Sequence, residues 1–89
     1  MIEAAEDRLK RLKMRSWRRG TKEMDLILGP FADARLATLS EDDLVLYDRM
    51  LGENDQDLYR WVTGQAKAPA EIAGMIAVVA GHAGVARSA

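Results

Sequence analysis

"LSEDDLVLYDRML" (residues 39–51) decides the fold. Ser40 stands directly before Glu41, Asp42 and Asp43, and Leu44, Tyr47, Met50 and Leu51 then recur three and four positions apart. Serine favours the N-cap, because its side-chain oxygen accepts from a backbone amide of the first turn. Acids suit that turn, where the helix dipole is positive. The apolar spacing gathers one stripe on one helical face. The stretch therefore predicts a helix with a buried side, ended by Gly52.

The same grammar extends outward in both directions. Toward the C-terminus, Asn54 or Asp55 caps a short fourth helix with Leu58, Trp61 and Val62 inward and Gly64 as its stop. Pro69 suits the first turn of a fifth helix, whose buried stripe is Ile72, Met75, Ile76 and Val79. From Gly81 onward the tail reads as frayed. Toward the N-terminus, Met24, Ile27, Leu28 and Phe31 mark a second helix. Gly29-Pro30 interrupts it, and Pro30 has no amide hydrogen for the Leu26 carbonyl. That predicts a kink, or a break with a second helical piece reaching about residue 37. A first helix over residues 3–16 carries a sparse apolar stripe of Leu9, Leu12 and Trp17, with Gly20 as its left-handed stop.

No segment alternates apolar and polar residues as a half-buried strand does. The predicted fold is a small all-α bundle of about five short helices joined by connections of two to five residues. Its 89 residues form a single helical domain (1–89), with frayed termini at 1–2 and 83–89. A domain of that size buries only about 60–65% of its unfolded surface, which leaves no room for a deep pocket.

Charge is abundant but balanced, with 13 basic and 14 acidic residues for a formal net of −1. That excludes a general polyanion binder. The signs are segregated. Arg8, Lys10, Arg11, Lys13, Arg15, Arg18, Arg19 and Lys22 come with no acid among them, whereas Glu41, Asp42, Asp43, Asp48, Glu53, Asp55 and Asp57 fill the middle. Such a dipole orients a partner, or draws the two halves of the chain together. There is no cysteine, which removes disulfides, thiolate catalysis and zinc–thiolate sites. The longest apolar run, Met75 to Ala80, falls far short of the ~18 residues of a membrane span. Glu3, Glu6 and Asp7 fit neither a secretory signal nor an acid-poor transit peptide.

Catalysis is poorly supplied. His82 is the lone histidine, placed near a helix end where a cation is favoured. Asp42, Asp43 and Asp48 lack calcium-loop spacing and read as a solvated face. Gly20 and Gly29 are isolated and spell no phosphate cradle. Phe31, Tyr47 and Trp61 read as core. No metal is expected. The chain is expected not to be an enzyme.

"RRGTKEMD" (residues 18–25) admits two readings. In one, Gly20 closes the first helix and caps the second, Glu23 reaches back to the Gly20 amide as half of a capping box, and Arg19 pairs with Glu23 four positions on. In the other, Gly20 lets a partner approach the backbone closely. Arg19 then offers its planar fork and Glu23 its acceptors on either side of the notch.

These residues resemble the signature of the succinate dehydrogenase assembly factors of the SdhE type, the flavinylation factors. Its Arg-Gly-x-x-Glu reads here as Arg19, Gly20, Thr21, Lys22 and Glu23. The likeness continues through "LILGPF", "LSEDDLVLYDRML" and "ENDQDLYRWVTG" and covers about residues 8 to 65. Proline often stands in the family where this chain has Gln56.

The resemblance implies an assembly factor that binds the flavoprotein subunit of succinate dehydrogenase, or of fumarate reductase, and promotes its covalent flavinylation with FAD. No cofactor is then held stably by this chain, and the FAD is on the partner. The implied contact residues are Arg19, Gly20 and Glu23, flanked by Arg18 and Asp25. Further expectations are no nucleic acid, no membrane, a monomer when free, and a location in the bacterial cytoplasm. The rival reading is a small helical nucleic-acid-binding domain using the basic stretch 8–22.

Overall fold

The computed structural model describes residues 3–84. Among them are five α-helices and no strand: α1 (Ala5–Trp17), α2 (Lys22–Arg35), α3 (Glu41–Met50), α4 (Asp55–Val62) and α5 (Ala70–Ala83). A short 3-10 turn, Leu36–Thr38, follows α2. The all-α expectation is met. The expected fraying at 1–2 and 85–89 falls outside the described residues.

Local chemistry explains most boundaries. The Ser40 side chain accepts from the Asp43 amide at 3.2 Å, and the Asn54 side chain from the Asp57 amide at 2.8 Å. Gly64 closes α4 with φ +81°, a conformation that side-chain-bearing residues rarely adopt. Pro69 sits at the N-cap of α5, just outside the first turn.

Four expectations are corrected. Gly20 does not end α1 in the left-handed region, since only Gly64 and Gly84 have positive φ among the described residues. Nor does Gly20 cap α2; Thr21 does, its hydroxyl accepting from the Met24 amide at 3.3 Å. Glu23 is thus the second helical residue, too early for a capping box. Gly29-Pro30 does not break α2, which runs on to Arg35. Buried Leu28, Gly29, Phe31 and Ala32 flank Pro30, and their packing offsets one missing hydrogen bond. Finally, α5 continues past Gly81 to Ala83, where Gly84 closes it with φ +65°.

The helices close around one apolar core. α1 packs along α2, and α5 lies against α2, α3 and α4. Leu12, Leu28, Phe31, Tyr47, Met50, Leu58 and Val79 are wholly enclosed. Tyr47 stacks on Phe31, with ring centroids 5.5 Å apart, and its hydroxyl meets that of Ser16 at 2.6 Å. Burial pushes the Tyr47 phenol up to about 12. His82, at the exposed end of α5, meets the Phe31 ring edge-on.

The segregated charges hold the bundle's own halves together. Arg8, Arg11 and Arg15 follow one another at spacings of three and four within α1, which aligns them on one side. Arg8 grips Glu41 with two bonds of 2.6 and 2.7 Å, and Arg11 and Arg15 share Asp48 at 2.9 and 2.8 Å. Arg11 also pairs with Glu3 at 2.9 Å. The Arg11 hydrogen bond holds the Asp48 carboxyl below the usual carboxylate range, and Arg8 does the same for Glu41.

A pH dependence follows. Groups whose pKa is lower in the folded state stabilise it above the unfolded value, about 4 for a carboxylate. That stabilisation is lost as pH falls through the folded values. The thermal midpoint should therefore hold steady from neutrality to about pH 5 and decline below about pH 4. Asp48→Asn should show a shallower decline in the same melts. Parallel curves for the two proteins would show that Asp48 contributes nothing to acid unfolding.

Candidate functional site

The α1–α2 connection, residues 18–21, is pinned from beneath by α4. Asp55, the first residue of α4, is buried. Its Oδ1 accepts from Arg19 Nε at 2.8 Å; its Oδ2 accepts from the backbone N–H of Gly20 and, at 3.0 Å, from that of Thr21. The remaining arms of Arg19 donate to the carbonyls of Leu51 and Glu53, each at 3.0 Å. The side chains of this ion pair are only 10% and 8% exposed. Asp25 Oδ1 accepts the Arg19 backbone N–H at 2.6 Å.

This geometry sorts the five residues singled out in the sequence. Arg18, Gly20 and Glu23 face solvent. Arg19 does not offer its fork outward: the expected Arg19–Glu23 frame is replaced by an inward Arg19–Asp55 clamp. A guanidinium needs acceptors, and this one finds three within the chain. Asp25, half-buried, holds the loop backbone instead of flanking it. Arg19 and Asp25 therefore set the loop's shape, while Glu23 is left with a free carboxylate among the described residues.

α4 brings residues that the sequence did not mark as a site. Arg18, Arg19, Gly20 and Thr21 line an open groove of about 530 Å³ together with Asn54, Asp55 and Gln56. Beside it, Thr21, Glu23, Asp55, Gln56 and Tyr59 line a smaller notch of about 210 Å³. Tyr59 is 38% exposed there. The one available signal was indirect: the Arg-Gly-x-x-Glu stretch and the "ENDQDLYRWVTG" stretch both belong to the same resemblance, and the fold sets them side by side.

Gly20 has a spatial reason as well. A Cβ there would lie 3.2 Å from Asp55 Oδ2, so any side chain presses on the carboxylate that fixes the loop.

The basic stretch looks different once folded. Of its eight bases, Arg8, Arg11, Arg15 and Arg19 are engaged in ion pairs with this chain's own acids. Among the described residues no group of three metal-ligating side chains is assembled, and no helix is long and apolar enough to cross a membrane.

The α1–α2 connection is thus held by internal hydrogen bonds at the surface of an all-α bundle, with the Glu23 carboxylate unpaired beside it among the described residues. The chain belongs to the Sdh5 family, described as flavinator of succinate dehydrogenase, whose profile matches residues 10–83. It is 48% identical over 56 residues to succinate dehydrogenase assembly factor 2, mitochondrial, of Aspergillus terreus, covering 63% of this chain and 19% of that protein. The factor of the same name in Mycosarcoma maydis is 40% identical over 68 residues, 76% of this chain and 29% of that one. Assembly factor 2-B of Drosophila mojavensis is 38% identical over 71 residues, 78% of this chain and 45% of that one. The matched part thus spans less than half of each relative's length.

The family is one of assembly factors for succinate dehydrogenase, not of catalysts. The expected bacterial cytoplasmic location is overturned: these relatives, from fungi and a fly, are named mitochondrial.

Proposed function

We propose that the chain binds the flavoprotein subunit of succinate dehydrogenase and promotes covalent attachment of FAD to that subunit. The docking surface is the outer side of the α1–α2 connection, with Arg18, Gly20 and Glu23 making contact and Arg19 and Asp25 holding the loop in shape. The observation that carries this reading is the clamp itself. A buried ion pair and three accepted backbone N–H groups fix the connection 18–21 at the surface, which prepays the ordering cost of binding. The family description and the relatives' names support the partner. The related flavoprotein subunit of fumarate reductase would offer the same surface. The unit is a single helical domain, monomeric when free.

Bond formation between flavin and a side chain requires a near-attack arrangement of the two. Both groups, and the FAD, belong to the partner. This chain acts by binding one domain arrangement of the partner better than others, which shifts its population toward the attachment-competent form. Neutralisation of half the basic stretch by internal ion pairs counts against the nucleic-acid reading.

The test is co-expression of the flavoprotein subunit with and without this chain, followed by flavin fluorescence of the denatured subunit. Wild-type chain should raise the covalent signal severalfold, and Glu23→Ala should return it close to the level without the chain. Equal signals with and without wild-type chain would remove the proposal.

A further inference from the structure

Resting on that reading, we infer that the notch between α2 and α4 receives a guanidinium from the partner, an arginine side chain seated between the Glu23 carboxylate and the Tyr59 ring. Three features of the notch point to that chemistry. The first is charge. Of the two carboxylates lining it, Asp55 is consumed by Arg19, Gly20 and Thr21. Glu23 is exposed and makes no hydrogen bond or ion pair among the described residues, so its oxygens remain to accept a donor fork. The second is the aromatic lining. Tyr59 comes from α4 and is partly exposed in the hollow. The face of a tyrosine ring attracts a cation, arginine most often. A planar guanidinium satisfies both walls at once, since it pairs with a carboxylate in-plane and stacks on a ring. The third is size. About 210 Å³ is below the roughly 300–1,000 Å³ typical of small-molecule sites, and suits one side chain.

The neighbouring residues fit as well. Gln56 lines the notch too, and the Thr21 hydroxyl is already oriented by the Met24 amide. Arg19 adds no competing cation to the hollow. Its charge is turned away and shared with Asp55, Leu51 and Glu53. The clamp thus does two things: it fixes the loop, and it leaves Glu23 as the free acid of the notch.

The experiment is calorimetric titration of the full chain into the flavoprotein subunit at low and high salt, in a double-mutant cycle. Glu23→Gln should weaken binding about 10-fold, equivalent to about 1.4 kcal/mol, and should flatten its salt dependence. Tyr59→Leu should weaken it roughly 3- to 5-fold, while Tyr59→Phe, which keeps the ring face, should stay within about twofold. The double variant Glu23→Gln/Tyr59→Leu should lose clearly less than the product of the single losses, because the two walls hold one group. Melting curves of each variant check the fold, and Tyr59→Met replaces Tyr59→Leu if the latter melts early. Wild-type affinity in Tyr59→Leu, or losses that simply multiply, overturns the guanidinium seat while leaving the docking reading intact. Absence of binding by the wild-type chain overturns the docking reading, and the seat with it.

Discussion

Asp55→Ala should cost the protein about 3–5 kcal/mol of unfolding free energy, the usual penalty for stripping a buried ion of its partner. The Arg19 and Asp55 side chains are 10% and 8% exposed, so the pair is largely shielded from solvent. Arg19 would keep two carbonyl acceptors, at Leu51 and Glu53, but no counter-charge. The Gly20 and Thr21 amides would lose their acceptor at the same time. A chain of this length has a total stability on the order of 4–13 kcal/mol, so the loss is a large share of it. At about 4–8 °C per kcal/mol for a domain this small, the thermal midpoint should fall by roughly 12 °C or more. Removing both partners in Arg19→Leu/Asp55→Ala should cost less than the two single losses combined, because no buried cation is then stranded. A midpoint for Asp55→Ala within a few degrees of wild type would show that the clamp does not hold the loop.

The contrast between what the chain sequence revealed and what it concealed is a matter of range. Ser40, Asn54 and Gly64 act on atoms within a few residues, so their roles could be read directly. The stripes of α3 and α5 are repeated signals, and Leu44, Tyr47, Ile72, Met75 and Val79 lie inside as their spacing requires. Gly20 misled because glycine beside a helix commonly serves as a stop or a cap. Here Thr21 takes the cap and Asp55, thirty-five positions away, takes the Gly20 amide. Nothing local announces that contact. The same holds for Arg19. With Glu23 one turn away, the nearest acid looked like its partner, yet Arg19 pairs with Asp55, where the Leu51 and Glu53 carbonyls and the Gly20 and Thr21 amides complete the hydrogen bonds of both ions. The segregated charges also allowed two outcomes, and only the folded arrangement shows that Arg8, Arg11 and Arg15 are spent on the chain's own acids. The part of the site contributed by α4, Gln56 and Tyr59, depended on tertiary placement throughout.

Gly29→Leu should be the second most damaging change, with a sign opposite to helix propensity. Replacing glycine inside a helix ordinarily gains about 0.5–1 kcal/mol. Gly74 in α5 should behave that way, since a Cβ there meets nothing within 4 Å. At Gly29 the Trp17 indole lies directly on the backbone: a Cβ would fall within 2.5 Å of ring atoms Cε2 and Cε3. Overpacking of this kind costs about 1–3 kcal/mol. Trp17 is 42% exposed, so its ring can swing outward. In doing so it forfeits its seat on α2 and its 3.2 Å hydrogen bond to Asp33. Gly29→Leu should therefore lower the midpoint by roughly 4 °C or more, whereas Gly74→Ala raises it. In a Trp61→Phe background, Trp17 emission should shift to the red in Gly29→Leu as the ring enters water. Equal midpoints for Gly29→Leu and Gly74→Leu would show that the indole does not hold α1 against α2. The consequence reaches the docking loop. Trp17 is the last residue of α1, directly before Arg18 and Arg19, so its seat on Gly29 fixes where the loop begins just as Asp55 fixes where it lies. Gly29→Leu should accordingly weaken flavoprotein binding at a temperature where the variant is still folded, although neither Gly29 nor Trp17 lines the notch or the groove.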